Sequence, residues 1–199
     1  MNKFKQTIAA IFICMATLLT ASSVLANQSP STTVESLVKE VIAVLKDSGL
    51  NDNQRFDALN NAIDGAIDRR AMAQSVLGRL WRQITETQQQ EFEGLLNRTL
   101  KNTYINRLDA YNNEVIEYGQ TQIREDRAQV ETTIITSSGR LPVNYRLRQK
   151  SDGWFIYDVI VDNVSLVTSY RESYRNIVLS SGMDDLLEQM REKLAEIEQ

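Results

Sequence analysis

The hydrophobic period of this chain changes twice, and that change constrains the fold more than any single motif. Up to residue 111 apolar residues recur three and four positions apart; from 115 to 161 they alternate; after 165 the helical spacing returns. The first helical stretch, 32–47, carries one stripe made of Val34, Leu37, Val38, Val41, Ile42 and Leu45. Thr32 and Glu35 have the spacing of a capping box, and Gly49 supplies a stop. Helices over 52–64 and 68–77 follow, the latter ending at Gly78. Thr85 with Gln88 opens a long helix to 111, with Phe92, Leu95, Leu96, Leu100, Tyr104, Leu108 and Tyr111 on its stripe.

The alternating stretch divides at its turn residues into four strands. The first, 115–123, is interrupted near Gly119. The second, 128–136, sets Val130, Thr132 and Ile134 on one face; the third, 141–149, does the same with Val143, Tyr145 and Leu147. The fourth, 154–161, is apolar on both faces. Short connections make this an antiparallel meander. Helices over 165–179 and 184–198 close the chain. Helices gathered on an antiparallel sheet define an α+β domain.

The amino terminus is set apart from that domain. Lys3 and Lys5 precede an apolar run from Ile8 to Leu19, and small residues lead to Val24-Leu25-Ala26. This is the pattern of a cleavable secretory signal over 1–26, and the run is shorter than the ~20 residues of a spanning helix. Cys14 lies within the apolar run. Residues 27–199 form the expected single domain, with 20 basic against 26 acidic residues. An acidic domain without a basic motif is a poor nucleic-acid binder. With no histidine in the chain and no cysteine after residue 14, residues 27–199 hold no disulfide, thiolate nucleophile or imidazole base. No metal or cofactor is expected.

Asp158 is the exceptional residue. It sits within an apolar strand, where a charge is costly unless paired or hydrogen-bonded. A salt bridge to an arginine such as Arg171, or hydrogen bonds to loop amides, explains it structurally. An acid/base role is the alternative.

Several segments, in this order and spacing, resemble the MlaC family of periplasmic phospholipid-binding proteins, also called the toluene-tolerance family. They are the Leu-Gly-x-x-Trp-Arg stretch Leu77 to Arg82, and an aromatic-bearing long helix with Phe92, Tyr104 and Tyr111. A Gly-Trp-x-x-Tyr-Asp strand, Gly153 to Asp158, follows, and then Arg171 and the terminal run Gly182 to Leu186. Asn163 stands where the family usually has glycine; asparagine is the next-best residue at positive φ.

The resemblance implies a four-stranded, curved sheet wrapped by helices around an apolar pocket. It implies a non-enzymatic periplasmic carrier that shuttles phospholipid between outer and inner membranes and so maintains outer-membrane lipid asymmetry. The cargo is the bound phospholipid. The implied partners are an inner-membrane ABC transporter complex with an MCE-domain subunit and an outer-membrane lipoprotein–porin complex. Period and resemblance together nominate as lipid-binding residues Leu77, Trp81, Leu96, Tyr104, Leu108, Val143, Tyr145, Tyr157, Val159, Val164, Val167 and Tyr170. Two other readings compete: a periplasmic enzyme acting on an apolar substrate through Asp158, and a ligand-free adaptor that only docks partners.

Overall fold

Ser29 starts the first helix. In the computed structural model, which describes residues 29–108 and 114–197, the Ser29 hydroxyl accepts the Thr32 amide at 3.1 Å. Pro30 takes the first helical position, where a missing N–H costs nothing. Thr32, the expected cap, therefore lies inside α1 (Pro30–Lys46). The expected signal segment 1–26 and the last expected residues of the long helix, 109–111, lie outside the described residues.

Each following helix has its own cap. Asn51 and Gln54 exchange side-chain-to-backbone hydrogen bonds of 2.9 and 3.0 Å to open α2 (Asp52–Ala66). Asp68 accepts the Ala71 amide at 2.9 Å to open α3 (Arg69–Leu77). Gly78, at φ +58°, ends α3 in a conformation that penalises any Cβ, and a 3₁₀ turn, Gly78–Arg82, follows. Thr85 and Gln88 form the capping box read from the sequence, ahead of α4 (Glu86–Leu108).

The sheet is antiparallel with strands in chain order: β1 (Val115–Arg124), β2 (Arg127–Thr136), β3 (Gly139–Lys150), β4 (Gly153–Val161) and β5 (Val164–Ser165). The α+β class holds, with five strands rather than four. The additional strand exists because Asp162 and Asn163 both adopt positive φ, 48° and 64°, and turn the chain directly back onto β4. α5 (Leu166–Ser181) then starts at Ser165, and α6 (Met183–Ile197) follows Gly182.

The apolar residues form two clusters. One is helical: Leu77, Trp81, Phe92, Leu96, Val167, Leu186, Leu187 and their neighbours pack α3, the 3₁₀ turn, α4, α5 and α6 together. The other lies on one face of the sheet, where Val34 of α1 and Ala66 of α2 meet Ala128, Val130, Leu147, Trp154 and Ile156. β4 serves both. A bulge opposite Arg146 and Leu147 shifts its alternation, so Trp154, Ile156 and Val159 face the α1–α2 side while Asp158 turns toward α5. That shift accounts for a strand that reads as apolar on both faces. The outer edge of β4 is covered by β5 and by Ile67, which bridges Ile156, with the Asp68 amide donating to the Ile156 carbonyl at 2.8 Å.

Candidate functional site

The α1–α2 side of the sheet is largely apolar but unevenly covered. Period two places Ile116 and Tyr118 of β1, Val130, Thr132 and Ile134 of β2, and Val143, Tyr145 and Leu147 of β3 on this face. Near Val34 the cover is complete, and Leu147 and Ile156 are shut off from solvent. Toward β1 the face opens: Tyr118 is 45 % exposed and Ile123 55 %.

The helix above it shows the same gradient. Pro30, Thr33 and Val34 are the buried residues of α1. Leu37 and Val38 pack at the margin of the sheet cluster, and the stripe continues as Val41, Ile42 and Leu45, all only half-buried. An apolar helix stripe and an apolar sheet face thus begin in contact at Val34 and remain incompletely covered beyond it. Apolar area left in this state gains about 25 cal/mol per Å² from any apolar occupant that removes it from water. α2 runs back beside α1, and Lys101 of α4 holds it through a 2.6 Å ion pair to Asp64.

Two polar groups, the Thr132 hydroxyl and the Tyr145 phenol, sit within the apolar face. The Thr132 hydroxyl donates to the Val143 carbonyl at 2.6 Å. Burial pushes the Tyr145 phenol up to about 12. Tyr118, at the open side, is raised as well, by partial burial and by the Glu35 carboxylate. The surface presented here is neutral and lipophilic, with uncharged phenols as its polar points.

The nominated residues divide between the two clusters. Val143, Tyr145 and Val159 share the sheet face. Leu77, Trp81, Leu96, Val167 and Tyr170 belong to the helical cluster. Tyr157 lies at the β4 bulge under the Arg127 guanidinium, 5.0 Å from its ring centroid, and Val164 in β5 is 58 % exposed. Tyr104 is half-buried on the last turns of α4, and the Leu108 side chain lies outside the described residues. Two residues that the periodicity marks only as helix stripe or strand, Leu37 and Tyr118, belong to this face: Leu37 packs at its margin and Tyr118 lies on its open side. Their signal was present in the period, but a stripe does not reveal how far along its length the protein covers it.

Asp158 is engaged elsewhere. It is 1 % exposed; one oxygen accepts the Val167 amide at 3.1 Å, and the other accepts from the Ser165 hydroxyl at 2.8 Å and from Arg146 Nη1 at 3.1 Å. Its ion-pair partner is Arg146 across the sheet, not Arg171, which donates instead to the Ser75 carbonyl. Register decides this: Arg146 and Asp158 are directly paired on β3 and β4. Among the described residues no group of His, Cys, Asp or Glu is arranged to hold a metal ion, and no helix is long and apolar enough to cross a membrane.

Comparison with known proteins gives concordant results. The family model described as MlaC protein matches residues 35–192. The toluene tolerance protein ttg2D of Pseudomonas putida is 27% identical over 166 residues, 80% of this chain and 77% of that protein. Among solved structures, a phospholipid-binding protein of Ralstonia solanacearum, in complex with a phospholipid, superposes with a TM-score of 0.78 at 23% identity. That match covers 87% of this chain and 99% of the other, and it establishes a shared fold.

Proposed function

The chain belongs to the MlaC family, and from that premise we propose that it is a phospholipid carrier whose cargo lies between the α1–α2 pair and the open part of the sheet. The observation that carries this reading is the α1 stripe. Val41, Ile42 and Leu45 continue the line of the buried Val34, which packs on the sheet, yet remain only half-buried. Acyl chains suit such a surface because each buried CH₂ is worth about 0.8 kcal/mol. A two-chain lipid with ~30 methylenes therefore needs ~24 kcal/mol of compensating burial to leave a bilayer. The headgroup then rests near the mouth, on the side of Tyr118 and Glu35.

Within this reading Val143, Tyr145 and Val159 touch the chains directly. The helical-cluster residues Leu77, Trp81, Leu96, Val167 and Tyr170 hold α3 to α6 as one body behind the cleft, and Asp158 anchors α5 rather than performing chemistry. The signal-like segment 1–26 directs export to a periplasm, where a carrier has two membranes to serve. The role proposed for it is shuttling between an outer-membrane lipoprotein–porin complex and an inner-membrane ABC transporter with an MCE-domain subunit, in support of outer-membrane asymmetry; membership of the family supports this reading.

The test is exchange. The purified protein, mixed with vesicles containing a fluorescent two-chain phospholipid, should remove label into the soluble fraction at up to one lipid per chain. Soluble protein that acquires no label from such vesicles would refute the carrier reading.

A further inference from the structure

The charge of this chain is unevenly distributed. Residues 69–82 contain Arg69, Arg70, Arg79 and Arg82 and no acidic residue, while 166–181 add Arg171 and Arg175 against Glu172 alone. Elsewhere residues 27–199 carry 25 acidic residues against 14 basic ones. All six arginines are exposed.

Contacts place Arg70 and Arg171, and the others neighbour them in sequence. Arg70 lies over the Trp81 ring, 5.4 Å from the centroid, and bonds Gln89 at 3.3 Å. This brings the start of α3 against the 3₁₀ turn that carries Arg79 and Arg82. Arg171 donates two hydrogen bonds, of 3.0 and 2.5 Å, to the Ser75 carbonyl in the middle of α3. Arg175 follows Arg171 by four residues and so lies on the same face of α5. Among the described residues Arg79, Arg82 and Arg175 form no ion pair; Glu93 of α4 shares a shallow groove with Arg69.

We propose that this arginine face is a docking surface for a carboxylate-rich face of a partner protein. Two features favour a protein over a lipid surface. Both segments use arginine without a single lysine, although lysines occur elsewhere on the chain. A point charge serves equally well toward an anionic bilayer, whereas the planar guanidinium fork matches carboxylates in bidentate geometry. Arginine is also enriched, and lysine depleted, in protein interfaces. The acidic remainder of the chain is repelled by an acidic partner and so orients the encounter through this face. The surface is distinct from the apolar cleft; only its role, docking a carrier for lipid transfer, rests on the carrier reading.

The experiment measures binding of fluorescein-labelled poly-L-glutamate to the whole domain at low and high salt. The triple variant Arg79→Gln, Arg82→Gln, Arg175→Gln is compared with the charge-matched Lys39→Gln, Lys46→Gln, Lys193→Gln. The arginine variant should bind about tenfold more weakly at low salt, the lysine variant should keep most of the binding, and both should melt as the parent does. Retained lipid is measured alongside and should be unchanged in both, which separates a failure of docking from a failure of the carrier reading. No salt-sensitive binding, or equal losses in the two variants, would overturn the proposal. So would flotation of the parent with 1:3 phosphatidylglycerol–phosphatidylcholine vesicles that is abolished in the arginine variant while poly-glutamate binding persists.

Discussion

The carboxylate of Asp158 accepts the backbone N–H of Val167 at 3.1 Å, joining the central strand β4 to the first turn of α5. The same carboxylate holds Ser165, whose hydroxyl also accepts the Thr168 amide at 3.0 Å as the cap of α5, and it pairs with Arg146. A negative charge at a helix N-terminus is favourable, and here it is almost wholly buried. Asp158→Asn keeps the shape but removes the charge. It should lower unfolding stability by about 2 to 3 kcal/mol in urea titrations while the protein still carries lipid. Loss of lipid exchange at unchanged stability would instead give Asp158 a direct functional role.

Tyr145 sets a pH limit. Its folded-state phenol is pushed from 10 up to about 12, so the folded state keeps a proton that the unfolded chain releases between those values. Stability from this group is complete below pH 10 and is lost as pH rises through about 12. Melting temperature should fall across that alkaline window, and Tyr145→Phe should flatten part of the fall. An identical alkaline profile in the variant would show that Tyr145 is not the buried phenol responsible.

The two apolar clusters should respond differently to mutation. Leu96→Ala, in the helical cluster, should cost about 3 kcal/mol of stability and leave one lipid per folded chain. Val41→Glu, on the half-exposed stripe, should cost little stability yet lower lipid retention at least roughly tenfold, because it sets a charge against acyl chains. Lipid retention by the two variants, normalised to folded protein, distinguishes these outcomes.

The β4–β5 turn tolerates only residues suited to positive φ. Asn163, at φ 64°, should accept glycine with a change of no more than about 0.5 kcal/mol, whereas Asn163→Val should cost about 1 to 2 kcal/mol. Urea midpoints with an unchanged slope would report this.

Much of this architecture was legible in the sequence because it is periodic or local. The alternation of Val130, Thr132 and Ile134, the capping pair Thr85–Gln88 and the stop at Gly78 each follow from neighbours a few residues apart. Features that depend on tertiary register were not legible. The β4 bulge turns Tyr157 away from the face that Val159 joins, and no local residue pattern announces it. Pairing across strands selected Arg146 for Asp158 rather than Arg171, the arginine named as an example from the sequence. Ser29 displaced Thr32 as the cap because Pro30 fits the first helical position. The candidate site was legible only as an excess of large apolar residues. Two clusters share that excess, and only packing shows that Trp81 and Leu96 lie in the helical one while the open side of the sheet belongs to the other.

The proposed lipid site lies between α1 and the sheet, and native mass spectrometry of the purified protein tests it most directly. The expected result is a dominant species heavier than the bare polypeptide by one two-chain phospholipid, with the same lipid recovered by organic extraction. A dominant species at the bare polypeptide mass, with no phospholipid in the extract, would contradict it.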